Sequence, residues 1–239
     1  MFEPPYPMTA YATIPIFPLN VAVLPGEFLP LHIFEPHYRE LVALCLERKD
    51  ARGASAFGVS LRTTEVESRG DSAARNPIAA SPASVLGIEE IGCTVSIADV
   101  IHRFEDGRSL LLGVGERRYR VLETVSCAPF PLARVAFLDE LPEEVDPLLK
   151  TEAIAAFRHL LDLGGFEVRF PPELDAHLSF QLAATLQLDA GERKELLEAL
   201  SESKRLTRLL DYMHFRIATF ELGTVPDEVL GEWHQGEKH

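Results

Sequence analysis

Around Leu141 the hydrophobic period of this chain changes, and that change bounds its fold more tightly than any single motif. Before it, short β-branched and apolar runs alternate with turn residues: "ASAFGVSL" (54–61), "GCTVSIADVI" (92–101), "RSLLLGVG" (108–115), "RRYRVLETV" (117–125) and "LARVAFL" (132–138). These read as strands. "EDGR" (105–108) offers an Asp-Gly pair able to take positive φ, so "VSIADVIHRF" and "SLLLGVG" are expected as antiparallel neighbours. "ATIPIFPL" (12–19) carries Pro15 and Pro18, which suit an edge or a strand end better than a central strand. Strands this closely spaced predict a small barrel or sandwich.

After "LPEEVDP" (141–147) helix formers take over. "PLLKTEAIAAFRHLLDLGG" (147–165) predicts a helix stopped by two glycines, and "ELDAHLSFQLAATLQL" (173–188) a second. "DAGE" (189–192) is an Asp version of the capping box and starts a third helix through Leu200. Ser201 can cap a fourth, whose apolar stripe is Leu206, Leu209, Leu210, Met213, Ile217 and Phe220. One helix also interrupts the strands. In "PHYRELVALCLERKD" (36–50), Tyr38, Leu41, Val42 and Cys45 recur at i, i+3, i+4 and i+7, Pro36 suits the first helical position, and Glu35 and Arg39 have the order of an i, i+4 ion pair. Strands followed by helices make an α+β pattern. The expected division is a β-rich part over 1–140, a helical part over 141–223 and a tail over 224–239. Residues 62–88, polar and Ser/Ala-rich, are expected as a long loop or mobile insertion.

Charge and cysteines narrow the function classes. The net charge is −14, with 13 Lys/Arg against 18 Asp/Glu in residues 1–140 and 10 against 19 in the rest. An acidic chain repels phosphate backbones at long range, which disfavours nucleic acid as a partner. Cys45, Cys93 and Cys127 are odd in number and far apart, which argues against a disulfide framework and a Cys-rich zinc site. No run reaches the roughly eighteen apolar residues of a membrane span, and "MFEPPYPMTAYA" has no basic n-region or apolar h-region. The expectation is a cytoplasmic protein with free thiols and no membrane partner.

Three strings invite a catalytic or ligand-binding reading. "HIFEPH" supplies His32, Glu35 and His37, but without the four-residue histidine spacing that shares one helix face, so no metal is expected. "SESK" (201–204) matches Ser-x-x-Lys without its Ser-Asp-Asn and Lys-Thr-Gly companions, and Ser201 reads better as a helix cap. "GVGERRYR" (113–120) lacks the lysine and spacing of a phosphate-binding loop. Strand alternation would put Arg117 and Tyr119 on one face and Arg118 and Arg120 on the other, a solvated, salt-bridged strand rather than an RNA platform.

Four longer segments carry a resemblance. "IPIFPLNVAVLPGEFLPLHIFEPHYRELV" (14–42), "FGVSL" (57–61), "IGCTVSIADVIHRFEDGRSLLLGVGERRYRVLE" (91–123) and "LSFQLAATLQLDAGERKELLEALSESKRLTRLL" (178–210) resemble, in order, the N-terminal domain of Lon protease. They are most similar to its stand-alone versions; the domain also occurs in cereblon. The resemblance implies a PUA-like β-barrel with an embedded helix, followed by an all-α helical bundle. It implies structural signature positions at Pro25, Gly26, Pro30, Leu31, Ile33, Pro36, Gly58, Gly92, Gly107, Gly115, Arg118 and Tyr119. In the full-length protease this region helps select substrate proteins and supports assembly, while the chemistry lies downstream. Neither the ATPase phosphate loop nor the catalytic serine–lysine region is expected in these 239 residues. The 62–88 insertion departs from the family pattern, as does "GTVPDEVLGEWHQGEKH" in place of a long linking helix.

On this reading Pro25-Gly26 makes a turn, Pro30 keeps the next strand short and Pro36 opens the helix. Leu29, Leu31, Ile33 and Phe34 are then expected inside, against Tyr38, Leu41 and Val42. The expected function is a non-catalytic protein- or peptide-binding module, such as an adaptor in protein quality control. It would take unfolded or partly folded polypeptides, or a partner protein, at a sheet edge or a groove between barrel and helices, without a cofactor. Phe34, Glu35, Tyr38 and Arg39 are the candidate rim of that groove. The alternative is an RNA-binding PUA-like module resting on Arg117, Arg118 and Arg120; an ATP-independent hydrolase is a distant third with no residues in its favour.

Overall fold

The computed structural model of the chain describes residues 8–52, 56–63, 81–165 and 177–222. The elements are β1 (Met8–Leu19), β2 (Phe28–Ile33), α1 (Pro36–Arg52), β3 (Ala56–Leu61), a single helical turn α2 (Pro82–Val85), β4 (Ile91–Arg103), β5 (Ser109–Ser126), β6 (Leu132–Leu138), α3 (Pro147–Gly164), α4 (Leu178–Thr185), α5 (Ala190–Glu198) and α6 (Glu202–Glu221). A mixed sheet with helices makes the fold α+β. Packing divides the chain into two compact units, Met1–Leu141 with Ala183–Leu200, and Pro142–Leu182 with Ser201–His239.

In the first unit the strands follow the order β2-β5-β4-β3-β1-β6, and β5 also pairs with β6, so the pairings close into a ring. Only β1 and β3 run parallel. The Asp-Gly hairpin forms as expected: Gly107 takes a φ of 84° and joins β4 to an antiparallel β5. β5 is one strand of 18 residues where two separate runs were expected. Pro15 and Pro18 lie in a strand with two neighbours, yet β1 meets them with successive halves, residues 8–15 along β6 and 16–19 along β3. Each half therefore has the one-sided character that proline tolerates.

The core of this unit gathers Ile14, Ile16, Tyr119, Val121, Ala133 and Val135 with Ala83 and Ile88. The last two correct the expected 62–88 loop. Residues 64–80 of it lie outside the described residues, but its ends are structured. Arg62 bridges Ile88, Ser81 caps α2 through the Ser84 N–H, and Ala83 is fully buried. Residues 81–88 were hidden because their apolar members, Ala83, Val85, Leu86 and Ile88, are too few and too irregularly spaced to carry a period.

The helix α5 packs in the first unit too. Its Asp189–Glu192 capping box is complete, but it ends at Glu198 rather than Leu200. The reason is a partner remote in sequence: Ala199 turns extended, and the carbonyls of Leu197 and Ala199 accept bonds from Arg118 Nη1 at 2.9 and 2.7 Å. Arg193 forks onto Glu27 at 2.5–2.9 Å, and Lys194 meets Glu89 at 2.9 Å.

In the second unit α3 packs on α6. The helix α3 ends on Gly165 with a φ of 72°, as its glycine pair predicts. The helix expected over 173–188 spans Leu178–Thr185; residues 173–176 lie outside the described residues, and His177 precedes it with a φ of 60°. Ser201 caps α6 by accepting the Lys204 N–H, and Leu206, Leu209, Met213 and Ile217 are buried as expected, with Leu210 and Phe220 half-buried. The fully buried residue that periodicity misses is Arg205, which donates to Ser179 Oγ at 2.8 Å and Glu202 Oε2 at 2.6 Å and lies 4.3 Å over the Phe180 ring.

Candidate functional site

The opening prolines build a sheet edge. Gly26, with a φ of 80°, makes the turn, which is tied to β5 by Gly26 N–H to the Gly115 carbonyl at 2.8 Å and Gly115 N–H to the Glu27 carbonyl at 2.9 Å. A Cβ at Gly115 would fall onto the Leu24 carbonyl, so the two segments touch only because that side chain is missing. The chain then runs as β2, the terminal strand of the sheet order, pairing Phe28 to Ile33 with Val114 to Ser109. Pro30 lies within this strand rather than ending it, a position that an edge strand can hold.

Alternation sorts β2 into two faces. Leu31 and Ile33 point into the core, Leu29 is half-buried, and Phe28, Pro30 and His32 are exposed. Phe34 corrects the expectation: it follows the strand at its junction with α1 and is 54% exposed. His32 and His102 both stand opposite Leu110, one on each side of β5. The rings form a surface cluster, with His32 5.7 Å from Phe34 and 6.0 Å from Phe104, and His102 4.5 Å from Phe104 edge-on. Ile101 is exposed on the same hairpin.

The other candidate residues split. Tyr38 is core: only 6% exposed, its ring lies 4.1 Å from Phe17, and burial raises its hydroxyl pKa against the lowering charge of Arg62. Glu35 and Arg39 do not pair. Glu35 meets His37 at 3.4 Å, while Arg39 donates to the carbonyls of Phe34 at 2.9 Å and Asp106 at 2.8 Å. Two well-placed carbonyls hold the guanidinium better than an exposed, solvated carboxylate would. Arg39 thus straps the α1 junction to the hairpin tip and lines a cleft of about 380 Å³ between α1 and the β4–β5 hairpin. Phe34 and Arg39 come together at this edge; Tyr38 does not join them. His102, Phe104 and Arg108 were missed, although the Asp-Gly hairpin that carries them was legible.

The signature positions converge on Tyr119 and Arg118. Tyr119 is fully buried with its hydroxyl 2.8 Å from Ser60 Oγ, and burial raises its pKa. A Cβ at Gly58 or Gly92 would meet that hydroxyl at 2.6 or 2.5 Å. Arg118, expected on a solvated face, is 2% exposed and donates to Glu140 at 2.6 Å besides the two α5 carbonyls. The reason is an irregularity in the β4–β5 register between Cys93 and Val95, which breaks simple alternation. Arg117 lies over Phe137 and 3.5 Å from Asp139, and Arg120 is 3.7 Å from Glu90. The three cations proposed for RNA each face a carboxylate.

His32, Glu35 and His37 do not form a metal site, and among the described residues no three His, Cys, Asp or Glu side chains do. Ser201 donates to Glu143 at 2.9 Å in addition to capping α6. Among the described residues no helix is long and apolar enough to cross a membrane.

Comparisons with known proteins agree on one family. The family model of the ATP-dependent protease La (LON) substrate-binding domain matches residues 13–214. Lon protease of Roseiflexus castenholzii is 26% identical over 232 residues, 92% of this chain and 26% of that protein. Lon protease of Paraburkholderia phytofirmans is 26% identical over 226 residues, 91% of this chain and 25% of that protein. The chain thus spans about a quarter of the length of these curated relatives. The crystal structure of a Lon N-terminal domain protein from Xanthomonas campestris superposes with a TM-score of 0.60 at 26% identity, covering 84% of this chain and 99% of that one. The N-terminal domain of Mycobacterium avium complex Lon protease shares the fold, with a TM-score of 0.53 at 16% identity over 85% of this chain and 98% of that one. With the model match running through both compact units, the chain belongs to the LON substrate-binding domain family.

Proposed function

We propose that this chain is a non-catalytic polypeptide-binding module that captures extended, apolar segments of unfolded or partly folded proteins along the outer edge of β2. In this reading the closed ring of strands is the PUA-like barrel of residues 1–140, the helices of 141–223 are its bundle, and residues 224–239 are a tail. The module serves as an adaptor in protein quality control in the cytoplasm, a compartment that suits three free thiols.

The observation that carries the proposal is the pairing of an edge strand with exposed aromatics. Phe28, 65% exposed, and Phe34, 54% exposed, flank the edge, with His32, Phe104 and His102 beside them. An added strand gains backbone hydrogen bonds from the edge and side-chain contacts from the aromatics, without reading one sequence. Pro30 removes one donor from the ladder, which favours short, reversible pairing over indefinite stacking. Glu35 and Arg39 shape the rim, and Tyr38 supports it from the core.

Calorimetric titration with a permanently unfolded client and with its folded form tests the reading. Binding of the unfolded form alone, weakened about tenfold or more in a Phe34→Ala/Phe104→Ala variant of unchanged thermal stability, is the expected result. Equal binding of both forms would count against it.

A further inference from the structure

We propose that the cleft between α1 and the β4–β5 hairpin is an acid-selecting subsite, which takes an Asp or Glu of a bound polypeptide while the adjoining large apolar residue lies on the cleft floor. The inference rests on the polypeptide-binding reading and names which segments it favours.

The charge pattern carries it. In a chain of net charge −14, this cleft is lined by Arg39, Arg103 and Arg108 and, among the described residues, by no carboxylate. Arg39 spends its bonds on two neutral carbonyls, so its charge is fixed in place but not cancelled. Arg108 is the one matched cation, bonding Asp106 Oδ2 at 2.7 Å. Arg103 has no ion pair among the described residues. Among the described lining residues the charged side chains are these three guanidiniums, one of them bonded to Asp106, which gives the lining itself a positive character. Asp106 reports it: its pKa is lowered first by the Arg108 N–H and further by the charges of Arg108 and Arg39.

The floor has the complementary character. Val42 and Leu46 of α1 face Val100 and Leu111 of the hairpin across about 380 Å³, and Phe104 closes one end under the Arg108 guanidinium at 5.1 Å. A volume of that order holds one or two side chains, not a folded surface. Phe104 also belongs to the aromatic cluster beside β2, so a segment paired on that edge passes within reach of the cleft. A carboxylate gains from a pre-placed guanidinium fork, and partial exclusion of water strengthens the attraction.

The test uses the full chain and three short fluorescent peptides of identical apolar content, differing only in two positions that hold Asp, Asn or Lys. Anisotropy is expected to rank Asp above Asn above Lys, with Asp about tenfold tighter than Asn and the gap narrowing as ionic strength rises. Arg103→Glu, on an exposed residue, is expected to abolish the ranking with thermal stability unchanged, and Arg103→Lys to retain most of it. Equal affinity for the three peptides would overturn the subsite and leave the binding reading standing. A ranking that survives Arg103→Glu would place the selectivity elsewhere and overturn it too. Absence of binding by all three would overturn the binding reading and the subsite with it. Displacement of the Asp peptide by single-stranded RNA would reassign the cleft to nucleic acid.

Discussion

Arg118 and Tyr119 are adjacent, both buried, and hold different parts of the first unit. The Arg118 fork satisfies three acceptors, two of them backbone carbonyls at the end of α5. Arg118→Ala leaves those acceptors and Glu140 without their donor, and is expected to cost about 3 kcal/mol in urea unfolding. Arg118→Lys should recover little, because an ammonium lacks the planar fork. Tyr119→Phe removes only the bond to Ser60, and about 1 kcal/mol is expected. The cysteines allow a second test at this scale. Cys45 and Cys93 are buried and Cys127 is exposed, and burial pushes the Cys93 thiol up to about 12 from 9.0. Native protein should therefore show one fast-reacting thiol at mildly alkaline pH, and three once unfolded. Because the folded thiol titrates above the unfolded one, its contribution to stability is complete below about pH 9 and is lost as pH rises toward 12. Alkaline unfolding curves of the wild type and Cys93→Ala should diverge in that window; parallel curves would show that Cys93 has no part in it.

At the scale of elements, the legible features were those with local causes. The Asp-Gly hairpin, the 189–192 capping box, the Ser201 cap and the buried stripe Tyr38, Leu41, Val42 and Cys45 each depend on residues within two turns of one another, and each is present. What was illegible depends on distant partners. β5 read as two runs because its apolar stretch ends at Gly115 and the charged Glu116, Arg117 and Arg118 follow; Gly113 and Gly115 are there for space, since a Cβ would strike the Val95 side chain or the Leu24 carbonyl. The end of α5 at Glu198 follows from an arginine 79 and 81 residues away in sequence. The α6 terminus carries a prediction of its own. Glu143 accepts the Ser203 N–H at 2.8 Å and the Ser201 hydroxyl, the first of these being the largest cause of its lowered pKa. A carboxyl depressed in the folded state contributes above its unfolded value of 4.5 and loses that contribution as pH falls through the lower folded value. Ser201→Ala is expected to cost about 1 kcal/mol at neutral pH, and Glu143→Gln to flatten the acid limb of the stability profile; thermal melts from neutral to acid pH would measure both.

At the scale of the whole molecule, a net charge of −14 with Arg117, Arg118 and Arg120 each facing a carboxylate argues for a partner other than phosphate backbone, and the exposed aromatics argue for polypeptide. The candidate site was half legible. Phe34 and Arg39 were named from the strand-to-helix junction, yet Phe34 was expected inside, since an apolar residue at a strand end gives no sign of which way it turns. Phe104 and His102 escaped because their meeting with His32 needs the β2–β5–β4 register, which no local pattern states. That register also supplies the most direct test of the account. Amide hydrogen exchange across Phe28–Ile33, followed with and without a saturating unfolded client, should slow on binding at the amides of β2 and leave those of α3, which belongs to the other compact unit, unchanged. Binding that protects other segments while β2 exchanges at its free rate would contradict the claim that clients are held along that edge.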